Sequence, residues 1–353
     1  MRSSRLDLAR CFCRRLVLVG AVYIALPTFR LAAAEPDAAG ARPTIKATVQ
    51  FEPTAEETAV PKRFQLEKHS FDYAMTPSSV AALATDSTPY QVWEVTFPSP
   101  VQTPHELNNT VHCEYFQPQL KRGEKGKSPG VIVLHILGGD FALSRLFCRA
   151  LAQRGVAALF LKMPYYGPRR DPQVNRRMIS PNPNETVEGM TQAILDIRRG
   201  TAFLASREEV NAEKLGVFGI SLGGITGALA TSIEPRIQQA CLLLAGADLG
   251  RVAFDAPELK KIRAAWFAQG KTKEDFLAIM REIDPVTYAD RARGKRILML
   301  NAKTDEIIPK ACTESLWEAF GKPEIHWYDG GHYSVAWHLL DALDRVADFF
   351  EKQ

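Results

Sequence analysis

Gly219-Ile220-Ser221-Leu222-Gly223 sets a serine between two glycines in the pattern G-x-S-x-G. A serine hydroxyl is a weak nucleophile at neutral pH and needs a neighbouring base. Residues 215–220 read as a strand and 222–232 as a helix. The motif therefore sits at a strand-to-helix turn too tight for side chains two residues to either side. That geometry would lift the Ser221 hydroxyl clear of the sheet and aim the helix N-terminus, with its free N–H groups, at a reacting oxygen. The bland alternative is a serine that only caps the helix.

The chemistry needs a base and a carboxylate behind it. His332, in Asp329-Gly330-Gly331-His332, follows the last strand by a few residues, and its two glycines let the loop carry an imidazole back over Ser221. His326 lies within that strand, His338 on the final helix, and His69, His105 and His112 precede the regular part of the chain. Asp305 stands just past the strand at 296–300 and is the expected partner of His332; Asp248, just past the strand at 237–245, is the competitor. Asp329 is expected to shape the histidine loop, and Glu306 to point elsewhere. An acyl-transfer site also needs two N–H donors for a developing oxyanion. One is the N–H of Leu222. The other should come from His135-Ile136-Leu137-Gly138-Gly139, from either Ile136 or Leu137.

These residues need a scaffold that brings distant segments to one edge. From residue 92 onward the pattern is regular. Strand-like runs fall at 92–97, 110–116, 131–135, 156–161, 215–220, 237–245, 296–300 and 324–328, and helical spacing at 143–154, 187–206, 222–232, 311–320 and 335–351. Strands alternating with helices imply an α/β fold, a mostly parallel, doubly wound sheet with right-handed crossovers. Ligands bind such sheets beyond the carboxyl ends of the strands. Residues 249–293 interrupt the alternation, reading as two helices near 257–269 and 273–282 that form a helical cap insertion. There Trp266 and Phe267 either line an acyl pocket or form the buried face of a cap helix. The loop at 163–184 should border the site. Its Tyr165, Tyr166, Arg169 and Arg170, with Arg176 and Arg177 beyond them, are candidate contacts for a ring or a carboxylate of a substrate; packing and solvation are the competing explanation.

The chain has 353 residues, 44 Lys+Arg against 40 Asp+Glu, and 46% apolar residues, an ordinary globular composition. Its formal charge of +4 is unevenly placed. Residues 1–34 hold six arginines and one acid, so the remainder carries −1. The charge argues for no nucleic-acid partner. An arginine-rich start, an apolar run at 16–26 and Ala32-Ala33-Ala34 read as an export signal, with residues 35–90 as an N-terminal arm, loose in part and with 64–75 able to pack on the main domain, and 91–353 as the catalytic domain. A periplasmic or extracellular protein without a stable membrane anchor is the expectation. Cys113, Cys148, Cys241 and Cys312 remain after the leader, with no zinc-ligand spacing and no evident pairing; Cys241 reads as a reduced core residue.

From about residue 92 to the end, the chain resembles the α/β-hydrolase superfamily, near its exported acetyl-esterase and dienelactone-hydrolase-like branch. The resemblance rests on the elbow at Ser221, the loop after His135, and Asp305 and His332 in that chain order. Dienelactone hydrolases proper use a cysteine nucleophile, and here the residue is Ser221. The resemblance implies the fold and the reaction type of a serine hydrolase and identifies no substrate; the residues themselves lead to the expectation of an esterase acting on small-molecule or carbohydrate esters, with no metal and no organic cofactor. A peptidase, an acyltransferase and a non-catalytic binding protein are the rival expectations.

Overall fold

The structure, a computed structural model, describes residues 43–78, 89–119, 126–139, 141–255 and 260–352. The stretch at 1–34, expected to be an export signal, lies outside them. Ten strands form one sheet: β1 (Ile45–Phe51), β2 (His69–Pro77), β3 (Tyr90–Pro98), β4 (Thr110–Pro118), β5 (Ser128–Leu134), β6 (Ala157–Lys162), β7 (Val210–Ile220), β8 (Ile237–Leu243), β9 (Arg296–Ala302) and β10 (Glu324–Tyr328). Their order is β1-β2-β3-β4-β6-β5-β7-β8-β9-β10. The β1-to-β4 half is antiparallel and joins β6 antiparallel; β6, β5, β7, β8, β9 and β10 run parallel.

Burial explains the division. In β6 every residue is buried, as a strand covered by helices on both faces requires. In β2 buried and open positions alternate, so only one face meets the core. Phe71, Tyr73 and Met75 of that face join the cluster around Phe97 and Phe203. Within the stretch expected to be an N-terminal arm, β1 and β2 are integral strands of the sheet, and β2 includes most of the part expected to pack on the main domain. Their apolar residues are interspersed with Thr, Lys and Asp on the open face, which hides the strand signal in a window average.

Helices α1 (Phe141–Gln153), α2 (Pro183–Ala205) and α3 (Leu222–Ile233) cover the central strands. Asn182 caps α2 by accepting the Asn184 N–H at 3.1 Å, and Pro183 fills the first position, where no N–H is needed. Every residue of α3 is buried, which suits its Gly, Ala, Ile and Leu content and its place behind the sheet centre. Among the described residues the insertion holds three short α-helices rather than two, α4 (Leu249–Asp255), α5 (Lys260–Ala268) and α6 (Lys273–Arg281), followed by a 3-10 turn at Pro285–Ala292. A capping box starts α6, with Thr272 and Asp275 exchanging backbone bonds. Helices α7 (Lys310–Ala319) and α8 (Leu339–Glu351) complete the fold. The four cysteines among the described residues are free and buried.

The register sets the site. Leu134 lies opposite Gly219, Ile220 opposite Leu243, Leu243 opposite Leu300, and Tyr328 opposite Ala302. The carboxyl ends of β5, β7, β8, β9 and β10 therefore reach one common edge.

A buried ionic cluster ties the N-terminal segment to this frame. Arg198 of α2 donates Nε–H to Glu234 Oε2 at 2.8 Å and Nη1–H to Glu57 Oε1 at 2.8 Å. Arg198 and Glu234 are fully buried. Removing the guanidinium would leave Glu57 without its ionic partner and Glu234 with Arg236 alone. Arg198→Ala should lower the unfolding free energy by about 3–5 kcal/mol. Urea denaturation checks this; a loss within experimental error would mean that the cluster holds nothing together.

Candidate active site

The site is built from strand ends. β7 delivers Ser221, whose backbone is held at φ 54° and ψ −114°. Its N–H donates to Leu243 O at 2.8 Å and its carbonyl accepts the Ile225 N–H at 2.9 Å. Side chains at the two flanking glycines have no room: a β-carbon on Gly219 would overlap the Gly223 carbonyl, and one on Gly223 would lie 2.6 Å from Leu134 O. The Ser221 side chain makes no capping bond to α3. Its Oγ lies 3.0 Å from His332 Nε2 instead.

His332 Nδ1 is 2.8 Å from Asp305 Oδ2 and 3.0 Å from Oδ1. With Nδ1–H donating to the carboxylate, Nε2 is left to accept from Ser221 Oγ–H. Asp305 Oδ1 also accepts the backbone N–H groups of Ile307 at 2.8 Å and Ile308 at 2.7 Å, which fixes its rotamer. Asp248 stands at φ 57° at the start of α4, its carbonyl accepting from Arg251 and Val252, and the imidazole contacts Asp305 rather than Asp248. Asp329 pairs with Lys303 at 2.6 Å, His326 meets Tyr328 edge to face, and His338 Nε2 contacts Asp329 O. Glu306 does not point elsewhere: its Oε2 accepts the backbone N–H of His332 at 2.8 Å.

The loop after β5 is organised by His135, whose role the sequence reading missed. Its ring is buried and spans two backbone groups: Nδ1–H donates to Ile136 O at 2.8 Å, and Nε2 accepts the Met163 N–H at 3.1 Å. Ile136 O also accepts the Gly139 N–H at 3.2 Å. Burial lowers the His135 pKa to about 4, with Arg169 and Lys162 adding to the effect. The only sequence signal was a histidine closing an apolar strand beside a glycine pair.

The loop after β6 corrects half of the expected substrate contacts. Arg169 is fully buried, 2.8 Å from Asp196 Oδ2, and donates to the carbonyls of Asn108 and Lys162. Asp196 is also buried, and desolvation raises its pKa despite that partner. Tyr165 is buried too. Its N–H donates to Asn108 Oδ1 at 2.9 Å, and its ring lies 4.7 Å from the Arg176 guanidinium. Both side chains are thus engaged within the protein itself. Tyr166 differs: it is partly exposed, its ring centroid lies 4.6 Å from that of His135, and a β-carbon on Gly139 of the same loop would lie 3.1 Å from its ring. Arg170 is exposed. In the insertion, Trp266 is buried with Nε1–H on Thr272 O, whereas Phe267 is half exposed. Trp266 and Phe276 share a core cluster with Leu222.

Comparison with known proteins agrees with this architecture. Residues 84–251 match the family described as "Alpha/beta hydrolase domain containing 18", a range that includes Ser221 and stops short of Asp305 and His332. Two uncharacterized proteins of Mycobacterium tuberculosis are 29% identical over 180 residues, covering 48% of this chain and 40% of each relative. The chain thus matches less than half the length of these relatives. An acetyl xylan esterase from Paenibacillus sp. R4 superposes with a TM-score of 0.63 at 19% identity, over 78% of this chain and 88% of that one. Acetyl xylan esterase 1 from a Thermoanaerobacterium species gives 0.58 at 17%, over 77% and 87%. A hypothetical protein from Pseudomonas aeruginosa gives 0.54 at 17%, over 75% and 94%.

Buried His135 and half-buried His112 predict an acid limb of stability. His135 and His112 have folded pKa values of about 4, below the unfolded value near 6.5. Between those values the unfolded chain binds more protons, so their contribution is complete above pH 6.5 and is lost as pH falls toward 4. The slope is about 1.4 kcal/mol per pH unit for each proton taken up. His135→Gln should flatten the limb by one proton in denaturation curves from pH 7 to 4; an unchanged slope would contradict the neutral, buried imidazole.

Proposed function

We propose, on the premise that this chain has the α/β-hydrolase fold, that it hydrolyses carboxylic esters through an acyl-enzyme on Ser221. The observation that carries the reading is the continuous line Ser221 Oγ, His332 Nε2, His332 Nδ1, Asp305 Oδ2, with contacts of 3.0 and 2.8 Å. Ser221 Oγ attacks the ester carbonyl carbon as His332 Nε2 takes the hydroxyl proton. The tetrahedral oxyanion collapses, the C–O bond to the alcohol breaks, and His332 returns the proton to the leaving oxygen. Water then adds to the acyl-enzyme by the same route, releasing acid and free Ser221. Asp305 holds the Nδ1–H tautomer and stabilises the imidazolium.

The oxyanion is met by the Leu222 N–H, at the first position of α3 where no intrahelical acceptor exists. For the second donor, the 136–137 peptide favours Leu137 over Ile136. Its carbonyl is turned toward His135 and Gly139. In a trans peptide the N–H points opposite to the carbonyl. The Leu137 N–H is then directed away from the buried imidazole.

Acetyl esters of small alcohols or sugars are the first substrates to test, because two acetyl xylan esterases share the fold. Tyr166 and Arg170 remain the proposed substrate contacts. Arg177, also exposed, lies close enough to Tyr166 to lower its pKa against the upward push of burial, as does Arg170.

On 4-nitrophenyl acetate, Ser221→Ala should cost on the order of a million-fold in kcat and Asp305→Ala on the order of ten-thousand-fold. Ester turnover by Ser221→Ala at the parent rate would end this reading. Arg170→Ala should lower kcat/KM for esters bearing a carboxylate more than for neutral ones; an equal effect on both would remove charge recognition while leaving the esterase reading intact.

A further inference from the structure

The base of the proposed reaction is held twice, and only one of the two holds belongs to the Ser-His-Asp line. Beyond the last paired residues of β9 and β10, the two loops continue to bond to each other. Lys303 N–H donates to Tyr328 O at 2.9 Å, and Thr304 N–H to Gly330 O at 3.0 Å. Asp305 then takes the imidazole of His332, and Glu306 takes its backbone N–H at 2.8 Å. Two consecutive carboxylates grip the same residue, one by its ring and one by its main chain.

Gly331 belongs to the same arrangement. A β-carbon there would overlap the Glu306 carboxylate and lie 3.1 Å from Thr304 O. The carboxylate is the free end of a flexible side chain, so an added methyl group would displace it rather than break the loop. Gly331 N–H is meanwhile held by Ser334 Oγ at 2.8 Å, and the Val335 N–H returns to Gly331 O at 3.2 Å. The turn behind His332 is closed on that side, and Glu306 closes the other.

We propose that Glu306 is a positioning residue that clamps the backbone of His332 and so sets the distance between the imidazole and Ser221, and that residue 331 is glycine because this carboxylate occupies the space of a β-carbon. Glu306 touches no reacting atom. Its effect passes through the angle at which His332 leaves the loop. An ångström of displacement in a proton-transferring group costs about 10²-fold in rate. The inference rests on the ester-hydrolase reading for its kinetic consequence, but the clamp itself is a statement about His332.

The test uses four variants of the full chain: Glu306→Ala, Glu306→Gln, Gly331→Ala and the double variant Glu306→Ala/Gly331→Ala. Two readouts are taken: kcat and KM on 4-nitrophenyl acetate, and the downfield proton resonance of His332 Nδ1–H bonded to Asp305. Glu306→Ala should lower kcat about 10-fold with KM held within about twofold, and broaden the resonance. Glu306→Gln, whose amide oxygen still accepts an N–H, should recover most of both. Gly331→Ala should reproduce Glu306→Ala, and the double variant should be no worse than either single change. A Glu306→Ala protein with parent kcat and an unchanged resonance would overturn the proposal, whatever its melting temperature. So would a Glu306→Gln protein as impaired as Glu306→Ala, or single effects that multiply in the double variant. If the parent protein hydrolyses no ester, the resonance still reports on the clamp, and the two failures are told apart.

Discussion

The arrangement depends on one backbone constraint: Ser221 at φ 54° and ψ −114°, between the last residue of β7 and the first of α3. An L-residue in such a conformation costs on the order of 1–3 kcal/mol and persists only where its surroundings over-determine it. Here they do. The Ser221 N–H is fixed by β8, its carbonyl by the first turn of α3, and α3 is buried along its whole length. Glycine at 219 and 223 lets strand, helix and the neighbouring β5 approach closely enough to enforce the turn. The strained residue consequently presents its hydroxyl beyond the sheet edge, where the loops after β5, β9 and β10 converge.

Those loops are held by groups that face away from the edge. His135 bridges the loops after β5 and β6, and stays neutral because it is buried. Arg169 and Asp196 form a buried pair joined by Asn108, Gln192 and Ser99. This network sits beneath Tyr165 and Tyr166 and fixes the course of the loop that carries them. Buried charges of this kind contribute little net stability against apolar replacements of the same shape, but removing one partner is expensive. Their value is geometric: they make the loop after β6 a rigid wall beside the glycine pair at 138–139.

The parallel half of the sheet and the positions of Ser221, Asp305 and His332 were legible because each rests on a local signal. These are a long apolar strand, a glycine-flanked turn, or a polar residue just past a strand end. What escaped depended on neighbours distant in sequence. β1 and β2 carry polar residues on an open face, so their strand character emerges only with β3 and β4 beside them. Arg169 looks like a surface arginine in a proline-rich loop; only the fold places Asp196, in the following helix α2, against it. Glu306 is one residue from Asp305, and no spacing rule says which way a carboxylate turns until the loop at 328–332 is in place.

The central claim is that Ser221 is the activated nucleophile, with His332 as its base. Labelling with a fluorophosphonate, followed by peptide mass spectrometry, tests it without knowledge of the natural substrate. The account predicts one phosphonyl group per chain, on Ser221 within the peptide containing 219–223, and labelling that is greatly slowed in His332→Ala. A folded protein that takes no label, or takes it at another residue, would contradict the account.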